Sequence, residues 1–178
     1  FVPSASGNYT VTGTAANGCT NSAVASVVVN TTPTVTANTS TTSVCSGNNV
    51  TLTGGGASSY AWTGGVTNNV AFAPSSTSSY TVTGTAANSC TNTAVVSVTV
   101  NPTPTVSATP SATSICQGDT VILNGNGAST YAWTGGVTNN TAFTPSATTI
   151  YTVTGTNTVG CSATAVSNVI VNSNPSVT

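Results

Sequence analysis

The chain has 178 residues and contains no Lys, Arg or His, and Asp119 is its single acidic residue. Ordinary domains carry about 25% charged residues. Cationic side chains are needed to displace the counterions of a nucleic acid, and titratable side chains are needed for general acid–base or nucleophilic catalysis. The composition therefore argues against nucleic-acid binding and predicts that the protein is not an enzyme.

The composition also bears on metals, cofactors and membranes. A calcium site needs several carboxylate oxygens, which a single Asp cannot supply. The cysteines are well separated and no His is present to complete a zinc site. No run of about 20 apolar residues is present either. We therefore expect no metal, no cofactor and no membrane insertion within these residues.

One sequence motif occurs three times along the chain, as YTVTGTAANGCT at 9–20, YTVTGTAANSCT at 80–91 and YTVTGTNTVGCS at 151–162. Consecutive copies are 71 residues apart, and Trp62 and Trp133 keep the same step. A period of this size predicts tandem copies of a small domain. The predicted divisions are the C-terminal part of an incomplete repeat (1–31), two whole repeats (32–101 and 102–172) and the start of a further repeat (173–178).

Residues 1–31 lack the segment that corresponds to Val50–Trp62, so they cannot close a hydrophobic core alone. Either the chain continues beyond these residues, or another chain supplies the missing strands. Both explanations remain open from the sequence.

Each copy contains short stretches of alternating apolar and polar residues, separated by clusters of Gly, Asn, Ser and Pro, which is the pattern of β-strands. A weak strand around Val66 and Thr67 would decide the direction of the strands after it. The fold prediction is all-β, with tandem immunoglobulin-like β-sandwich repeats of period 71. In the first whole repeat we predict strands at 34–38, 49–53, 59–63, 69–73, 79–85 and 93–100. The predicted core aromatic residues are Trp62, Trp133, Tyr80, Tyr151, Phe72 and Phe143.

The order of these motifs resembles a known family. VCSGNNVTL (44–52) and ICQGDTVIL (115–123), then YAWTGGV (60–66 and 131–137), then YTVTGT with a late Cys, are similar to immunoglobulin-like and PKD-like repeats of very large surface proteins of Bacteroidota. The resemblance implies a secreted, adhesin-like or stalk-like tandem protein, often exported by the type IX system. The PKD hallmark WDFGDG is WTGGVT here, so the plain immunoglobulin-like repeat fits better.

The five cysteines leave two disulfide patterns open. One bridge within each repeat would pair Cys45 with Cys90 and Cys116 with Cys161. In standard immunoglobulin topology these turns lie at opposite poles, beyond the roughly 4.4–6.8 Å that separates bridged Cα atoms. The alternative bonds Cys45 to Cys161 in the neighbouring repeat and leaves Cys19, Cys90 and Cys116 for partners outside these residues. Without the weak strand around Val66 and Thr67 the later strands would reverse direction and the two turns would share one pole, which favours the first pattern. Either pattern indicates an oxidising compartment.

The outward strand faces are rich in Thr and Ser, and they lack the charges that usually protect sheet edges. Self-association into fibres is therefore expected unless glycans cover the surface. Asp119-Thr120-Val121 resembles the acidic O-glycosylation motif associated with Bacteroidota, which makes Thr120 a candidate for modification. N-glycosylation sequons, which this composition also produces by chance, occur at Asn8, Asn30, Asn38, Asn49 and Asn139.

The sequence thus predicts a structural, non-enzymatic protein, extracellular or at the cell surface, whose tandem repeats form a stalk, fibre or filament. The linkers VNTTPTV and VNPTPTV are short and contain proline, which limits bending. One alternative is an adhesin whose binding tip lies outside these residues. A second is a carbohydrate-binding repeat that stacks sugars on Trp62, Trp133, Tyr60 and Tyr131. A third, an ice-binding face of Thr-x-Thr rows, is disfavoured by the long period.

Overall fold

A computed structural model describes residues 1–176 of the chain. The regular secondary structure of the described residues is almost entirely β-strand, so the all-β prediction is confirmed. The expected start of a further repeat at 173–178 lies partly outside the described residues.

The incomplete repeat folds as a two-stranded hairpin. Its strands are β1 (Gly7–Thr14) and β2 (Thr20–Val27), which pair antiparallel from Gly7 opposite Val27 to Thr14 opposite Thr20. The connecting turn is closed by two backbone hydrogen bonds, from Ala15 N to Cys19 O (2.8 Å) and from Gly18 N to Ala15 O (2.9 Å). The hairpin therefore forms from residues that are close in sequence.

The first whole repeat contains seven strands. They form a three-stranded sheet in the order β3-β5-β7 and a four-stranded sheet in the order β4-β9-β8-β6. All neighbours are antiparallel except β4 and β9, which are parallel. The strands are β3 (Thr36–Thr39), β4 (Ser43–Cys45), β5 (Val50–Gly55), β6 (Ser59–Trp62), β7 (Ala71–Phe72), β8 (Ser78–Thr85) and β9 (Thr91–Asn101).

The second whole repeat has the same seven strands in the same order. Its sheets are β10-β12-β14 and β11-β16-β15-β13, and β11 and β16 form the one parallel pair among its described strands. Three- and four-stranded sheets joined in this order form an immunoglobulin-like sandwich. The strands are β10 (Ser107–Pro110), β11 (Ser114–Cys116), β12 (Val121–Asn126), β13 (Thr130–Trp133), β14 (Ala142–Phe143), β15 (Thr149–Thr156) and β16 (Ser162–Asn172).

Two of the strand predictions need correction. The sequence analysis missed β4 and its counterpart β11, because three residues that pair with a strand distant in sequence have no local pattern. The weak strand expected around Val66 and Thr67 does not form. Instead, the short 3₁₀ turns Thr63–Gly65 and Thr134–Gly136 follow the two tryptophans.

The chain divides into two compact units, and the first contains Phe1–Thr42, Asn49–Phe72 and Ser78–Val98. Its core comes from strands whose side chains alternate between the interior and the solvent. Val50 and Leu52 of β5 and Val82 of β8 are fully buried in this way. Burial of such aliphatic side chains stabilises a fold by about 1.5–3 kcal/mol each.

The second unit contains Ser43–Asn48, Ala73–Thr77 and the chain from Thr99 onward. Its hydrophobic cluster includes residues from both sheets of the second repeat, so the two sheets pack face to face. The buried members of this cluster are Ile115, Val121, Leu123, Trp133, Tyr151, Val153 and Val169.

Ser167 interrupts this core, and we expect its replacement by Ala to stabilise the second repeat. Its Oγ is buried and has no hydrogen-bond partner among the described residues. Removing an unsatisfied hydroxyl should raise the free energy of unfolding by about 1 kcal/mol. Urea denaturation followed by tryptophan fluorescence measures this in a Trp62→Phe background, where Trp133 alone reports. The exposed Thr164→Ala is the matched control, and a destabilised Ser167→Ala variant would contradict the expectation.

Candidate functional site

The most specific chemical feature of the structure is a disulfide between Cys45 and Cys161. Their Cα atoms are 5.7 Å apart, and their sequence separation is 116. Both cysteines belong to the second compact unit. By sequence, however, Cys45 lies in the first whole repeat and Cys161 in the second, so the bond covalently joins neighbouring repeats.

The pairing within each repeat is not formed, and strand register gives the reason. Cys116, the last residue of β11, lies opposite Asn172 at the end of β16, whereas Cys161 directly precedes the first residue of β16. Eleven residues of extended strand separate the two ends, which is about 35 Å at roughly 3.3 Å per residue. Cys45 has the same register with Asn101 at the end of β9. This register excludes Cys45–Cys90 and Cys116–Cys161, the first of the two open patterns, even though the weak strand around Val66 and Thr67 is absent.

Hydrogen bonds around the end of β9 hold Cys45 beside the start of the linker. Cys45 lies opposite Asn101, and Ser46 N donates to Asn101 O at 2.8 Å. Asn101 Nδ2 donates to Ser43 Oγ at 2.7 Å. The short strand β4 is thus fastened at both of its ends to the residue that precedes Pro102.

Asn157 orders the turn that contains Cys161. Its Oδ1 accepts hydrogen bonds from Cys161 N (2.9 Å) and Val159 N (3.2 Å), and its Nδ2 donates to Pro102 O at 3.0 Å. One side chain therefore holds both the turn and Pro102 of the linker. The sequence analysis missed this residue, although Asn a few residues before a turn cysteine is a typical Asx-turn signal.

The other turn cysteines are held in a similar way. Asn88 Oδ1 accepts a hydrogen bond from Cys90 N at 3.1 Å, and Asn88 Nδ2 donates to Thr31 O at 3.2 Å. In the hairpin, Asn17 Oδ1 accepts from Cys19 N at 3.1 Å. The turns before β2, β9 and β16, called the late turns below, thus each contain a cysteine whose backbone N–H is hydrogen-bonded to a nearby asparagine.

Among the described residues, Cys19, Cys90 and Cys116 are free thiols. Cys116 takes the place in its repeat that Cys45 takes in the preceding one, since each lies opposite the last residue of a long strand. Cys19 and Cys90 take the place of Cys161, directly before the second strand of a hairpin. Each free thiol therefore corresponds to one half of the observed disulfide.

Both tryptophans lie in the interior, where a second hydrogen-bond network holds them. Trp62 and Trp133 are each 8% exposed, which leaves no indole face for stacking on a sugar. Trp133 Nε1 donates to Asn139 Oδ1 at 3.0 Å, and the same oxygen accepts from Gly125 N at 2.7 Å. Asn68 bridges Trp62 and the backbone in the same manner. The carbohydrate platform expected as an alternative is not present at these tryptophans.

The remaining aromatic residues line the same interior. Tyr80 and Tyr151 are buried, and Phe72 and Phe143 are half-buried and meet them edge to face, with ring centroids 5.4 and 5.3 Å apart. Tyr131 is half-buried, and its hydroxyl donates to Ala128 O at 2.7 Å.

The glycosylation candidates differ in the exposure and hydrogen bonding of their side chains. Asn139 is half-buried, and its Nδ2 lies 3.4 Å from Gly125 O, so this amide is engaged internally and is poorly placed to carry a glycan. Asp119, next to Thr120, uses its carboxylate to accept a hydrogen bond from Cys116 N at 3.1 Å. The exposed candidates are Thr120, Asn8, Asn30, Asn38 and Asn49.

The outer face of the β15–β16 hairpin is more apolar than the sequence analysis expected. Ile150 and Val166 are 65% and 66% exposed, and Ile170 is also exposed. In β8, by contrast, Thr81 and Thr83 are half-buried. The surface therefore combines hydroxyl groups with exposed aliphatic side chains.

Residues 1–176 contain no group of three or more His, Cys, Asp or Glu side chains placed to hold a metal ion. No helix within this range is long and apolar enough to span a membrane.

No protein-family model and no curated protein matches the chain. Among solved structures, it is similar to a Ca²⁺-stabilised adhesin that helps an Antarctic bacterium reach out and bind ice, with 18% identity over 95% of this chain and a TM-score of 0.38. It is also similar to the N-terminal four Ig domains of Dscam1 isoform 6.44 (10% identity, 89% of this chain, TM-score 0.27) and to the EC1-4 domains of PcdhgB3 (7%, 94%, 0.26). The chain spans 57%, 52% and 65% of those three structures, respectively.

We expect Asn139→Ala to destabilise the second repeat by about 2–3 kcal/mol. The substitution leaves Trp133 Nε1 and Gly125 N buried without their shared acceptor, and each unsatisfied donor costs about 1–3 kcal/mol. Urea denaturation gives the free energy of unfolding, and hydrogen exchange at the indole N–H gives an independent measure. The exposed Thr138→Ala serves as the neighbouring control. Unchanged stability and unchanged exchange would contradict the role assigned to Asn139.

Proposed function

We propose that the protein is a structural, extracellular protein whose tandem immunoglobulin-like repeats form a stalk or fibre. The observation that carries the proposal is the Cys45–Cys161 disulfide, which joins one repeat to the next. A disulfide within a repeat would stabilise that repeat alone. A disulfide between repeats instead restrains the linker that separates them, which is the property that a long, stiff assembly needs.

The bond changes how the chain carries tension. A pull applied at the two termini passes from residue 45 to residue 161 through the disulfide, and residues 46–160 are excluded from the path. This excluded segment contains the linker around Pro102 and most strands of both whole repeats. The repeats therefore cannot be separated by force unless the disulfide is reduced.

The free cysteines extend this scheme to further repeats. Cys116 would bond the late turn of a following repeat, and Cys90 would bond the β4-like strand of a preceding one. Each bond would repeat the register that the Cys45–Cys161 disulfide has. A chain with a disulfide between each pair of neighbouring repeats needs an oxidising compartment, which supports a location outside the cell or at its surface.

Lateral association of such stalks is supported by the surface. The chain carries a formal net charge of −1, so copies repel one another very little. The exposed aliphatic side chains of Ile150 and Val166 lie on two neighbouring strands, where another copy can cover them. Adhesion between copies then needs no specific ligand.

Single-molecule force spectroscopy tests whether tension passes through the Cys45–Cys161 disulfide. We expect the fully extended chain to lengthen by about 400 Å on reduction, because the sequence separation of 116 between the two cysteines enters the path at roughly 3.3–3.6 Å per residue. The double variant Cys45→Ser, Cys161→Ser should show the long extension without reductant, and Cys116→Ser should behave as the parent chain does. Equal extensions before and after reduction would contradict the proposed tension path.

Lateral association is tested separately by placing charged side chains on the exposed apolar face of the β15–β16 hairpin. The double variant Ile150→Lys, Val166→Lys should remain monomeric at protein concentrations about tenfold higher than the parent chain, because like charges on this face repel. Sedimentation velocity under non-reducing conditions, with free thiols blocked, measures the association. The control places two lysines at the exposed Thr138 and Thr141, which lie away from this hairpin. Equal effects of both variants would show that net charge alone reduces association, and they would contradict the role assigned to Ile150 and Val166.

A further inference from the structure

In each whole repeat, an asparagine side chain joins the late turn to the linker that precedes the repeat. Asn157 Nδ2 donates to Pro102 O at 3.0 Å, and its Oδ1 accepts from Cys161 N at 2.9 Å. Asn88 makes the same two contacts in the first whole repeat, with Thr31 O and with the backbone N–H of the late-turn cysteine. Each asparagine therefore holds a cysteine backbone and a linker carbonyl at the same time.

The two asparagines make this contact from different positions in their turns. Thr31 and Pro102 are one period of 71 residues apart, so the two linker carbonyls are equivalent. Asn88 is one period before Val159, so Asn157 lies two positions earlier in its turn than Asn88 does in the other. The shared feature of the two repeats is thus the contact itself and not the local sequence of the turn.

The other cysteine of the disulfide is held against the residue next to Pro102. Cys45 lies opposite Asn101, and Ser46 N donates to Asn101 O at 2.8 Å. Asn101 directly precedes Pro102, whose ring fixes φ. Hydrogen bonds therefore hold Cys45 to one side of this peptide bond and Cys161 to the other. These bonds involve backbone and asparagine groups and no sulfur atom, so they are also available to the reduced chain.

We propose that Asn157 is a positioning residue for the formation of the disulfide. Its contact with Pro102 selects Cys161 as the partner of Cys45. The competing thiol is Cys90, which lies in the equivalent turn of the first whole repeat. The asparagine beside Cys90 binds the linker before the first whole repeat, whereas Cys45 lies against the linker before the second. The linker that each asparagine binds therefore decides which late-turn cysteine meets Cys45.

The chemical step is thiol–disulfide exchange with a small disulfide such as oxidised glutathione. One protein thiolate first forms a mixed disulfide and releases reduced glutathione, and the second thiolate then displaces the remaining glutathione. The two protein thiols are oxidised, their protons pass to the solvent and the released thiols, and the small disulfide is reduced. Asn157 acts on the second displacement, because that step depends on the effective concentration of one thiol at the other.

A high effective concentration is not expected from the chain alone. The two cysteines have a sequence separation of 116, and closing so long a loop is entropically unfavourable. Hydrogen bonds that place both cysteines at one peptide bond offset this cost, and each changes the equilibrium constant by roughly two- to tenfold. This inference goes beyond the stalk proposal, since it concerns how the disulfide forms and holds for a protein of any function.

Equilibration of the full chain with reduced and oxidised glutathione measures the effective concentration of Cys45 and Cys161. Acid quenching, digestion with pepsin and mass spectrometry of the unreduced peptides give the fractions of disulfide, free thiol and mixed disulfide. Tryptophan fluorescence checks that the repeats stay folded. We expect Asn157→Ala to lower the effective concentration by about tenfold or more, because turn and linker both lose their hydrogen bonds. Mixed disulfides with glutathione should accumulate at both cysteines.

Asn157→Asp separates the order of the turn from the contact with the linker. Its carboxylate still accepts from Cys161 N and Val159 N, but it cannot donate to Pro102 O. We expect the effective concentration to fall by roughly threefold or more at neutral pH. An Asn157→Asp chain that matches the parent would assign the effect to the turn alone, and it would overturn the selection by Pro102.

Asn88→Ala is the matched control, because it removes the same kind of contact beside Cys90, which is outside the disulfide. A value within about twofold of the parent supports the proposal, as does the same result for the exposed Thr158→Ala in the turn of Asn157. An equal loss in Asn88→Ala would overturn it, and so would a folded Asn157→Ala chain with the parent's effective concentration. Either result leaves the tension path standing, since that path requires only that the disulfide is present.

Discussion

The polar contacts among the described residues are almost all neutral hydrogen bonds, because the chain has no Lys, Arg or His and a single acidic residue, Asp119. Asparagine supplies most of the specific polar contacts. Asn68 and Asn139 each bridge a tryptophan to a neighbouring strand. Asn101 holds the short strand β4, and Asn157 orders the turn at Cys161. Such bonds are worth about 0.5–1.5 kcal/mol each when formed and cost more when a buried donor loses its acceptor.

The same constraint explains why the covalent bond is placed where it is. An ordinary domain can stiffen its contact with a neighbour through charged pairs, which this chain lacks. A disulfide between Cys45 and Cys161 supplies a restraint that is insensitive to salt and has a defined length. Asn157 complements it, because its side chain binds the first residue of the linker, Pro102, and the cysteine backbone together. The disulfide thus supplies the covalent restraint, and Asn157 supplies the hydrogen bonds that orient the cysteine backbone relative to Pro102.

The strands with strict alternation were predictable from the sequence. β8 was expected at 79–85 and runs from Ser78 to Thr85, because its apolar residues alternate with threonine over its whole length. β4 was not predictable, since its three residues form a strand only by pairing with β9, more than 50 residues away. The internal hydrogen bonds of Asn139 were not predictable for a similar reason. Nothing near it in the sequence shows that its oxygen meets Trp133 and Gly125.

The sequence by itself determined the repeat, the all-β class, the absence of side-chain ion pairs and the two disulfide patterns between which a choice had to be made. These properties follow from composition and from periodicities that extend over a few residues or recur at a fixed step. Only the tertiary structure decided the disulfide, because the choice depends on which end of β9 and β16 each cysteine occupies.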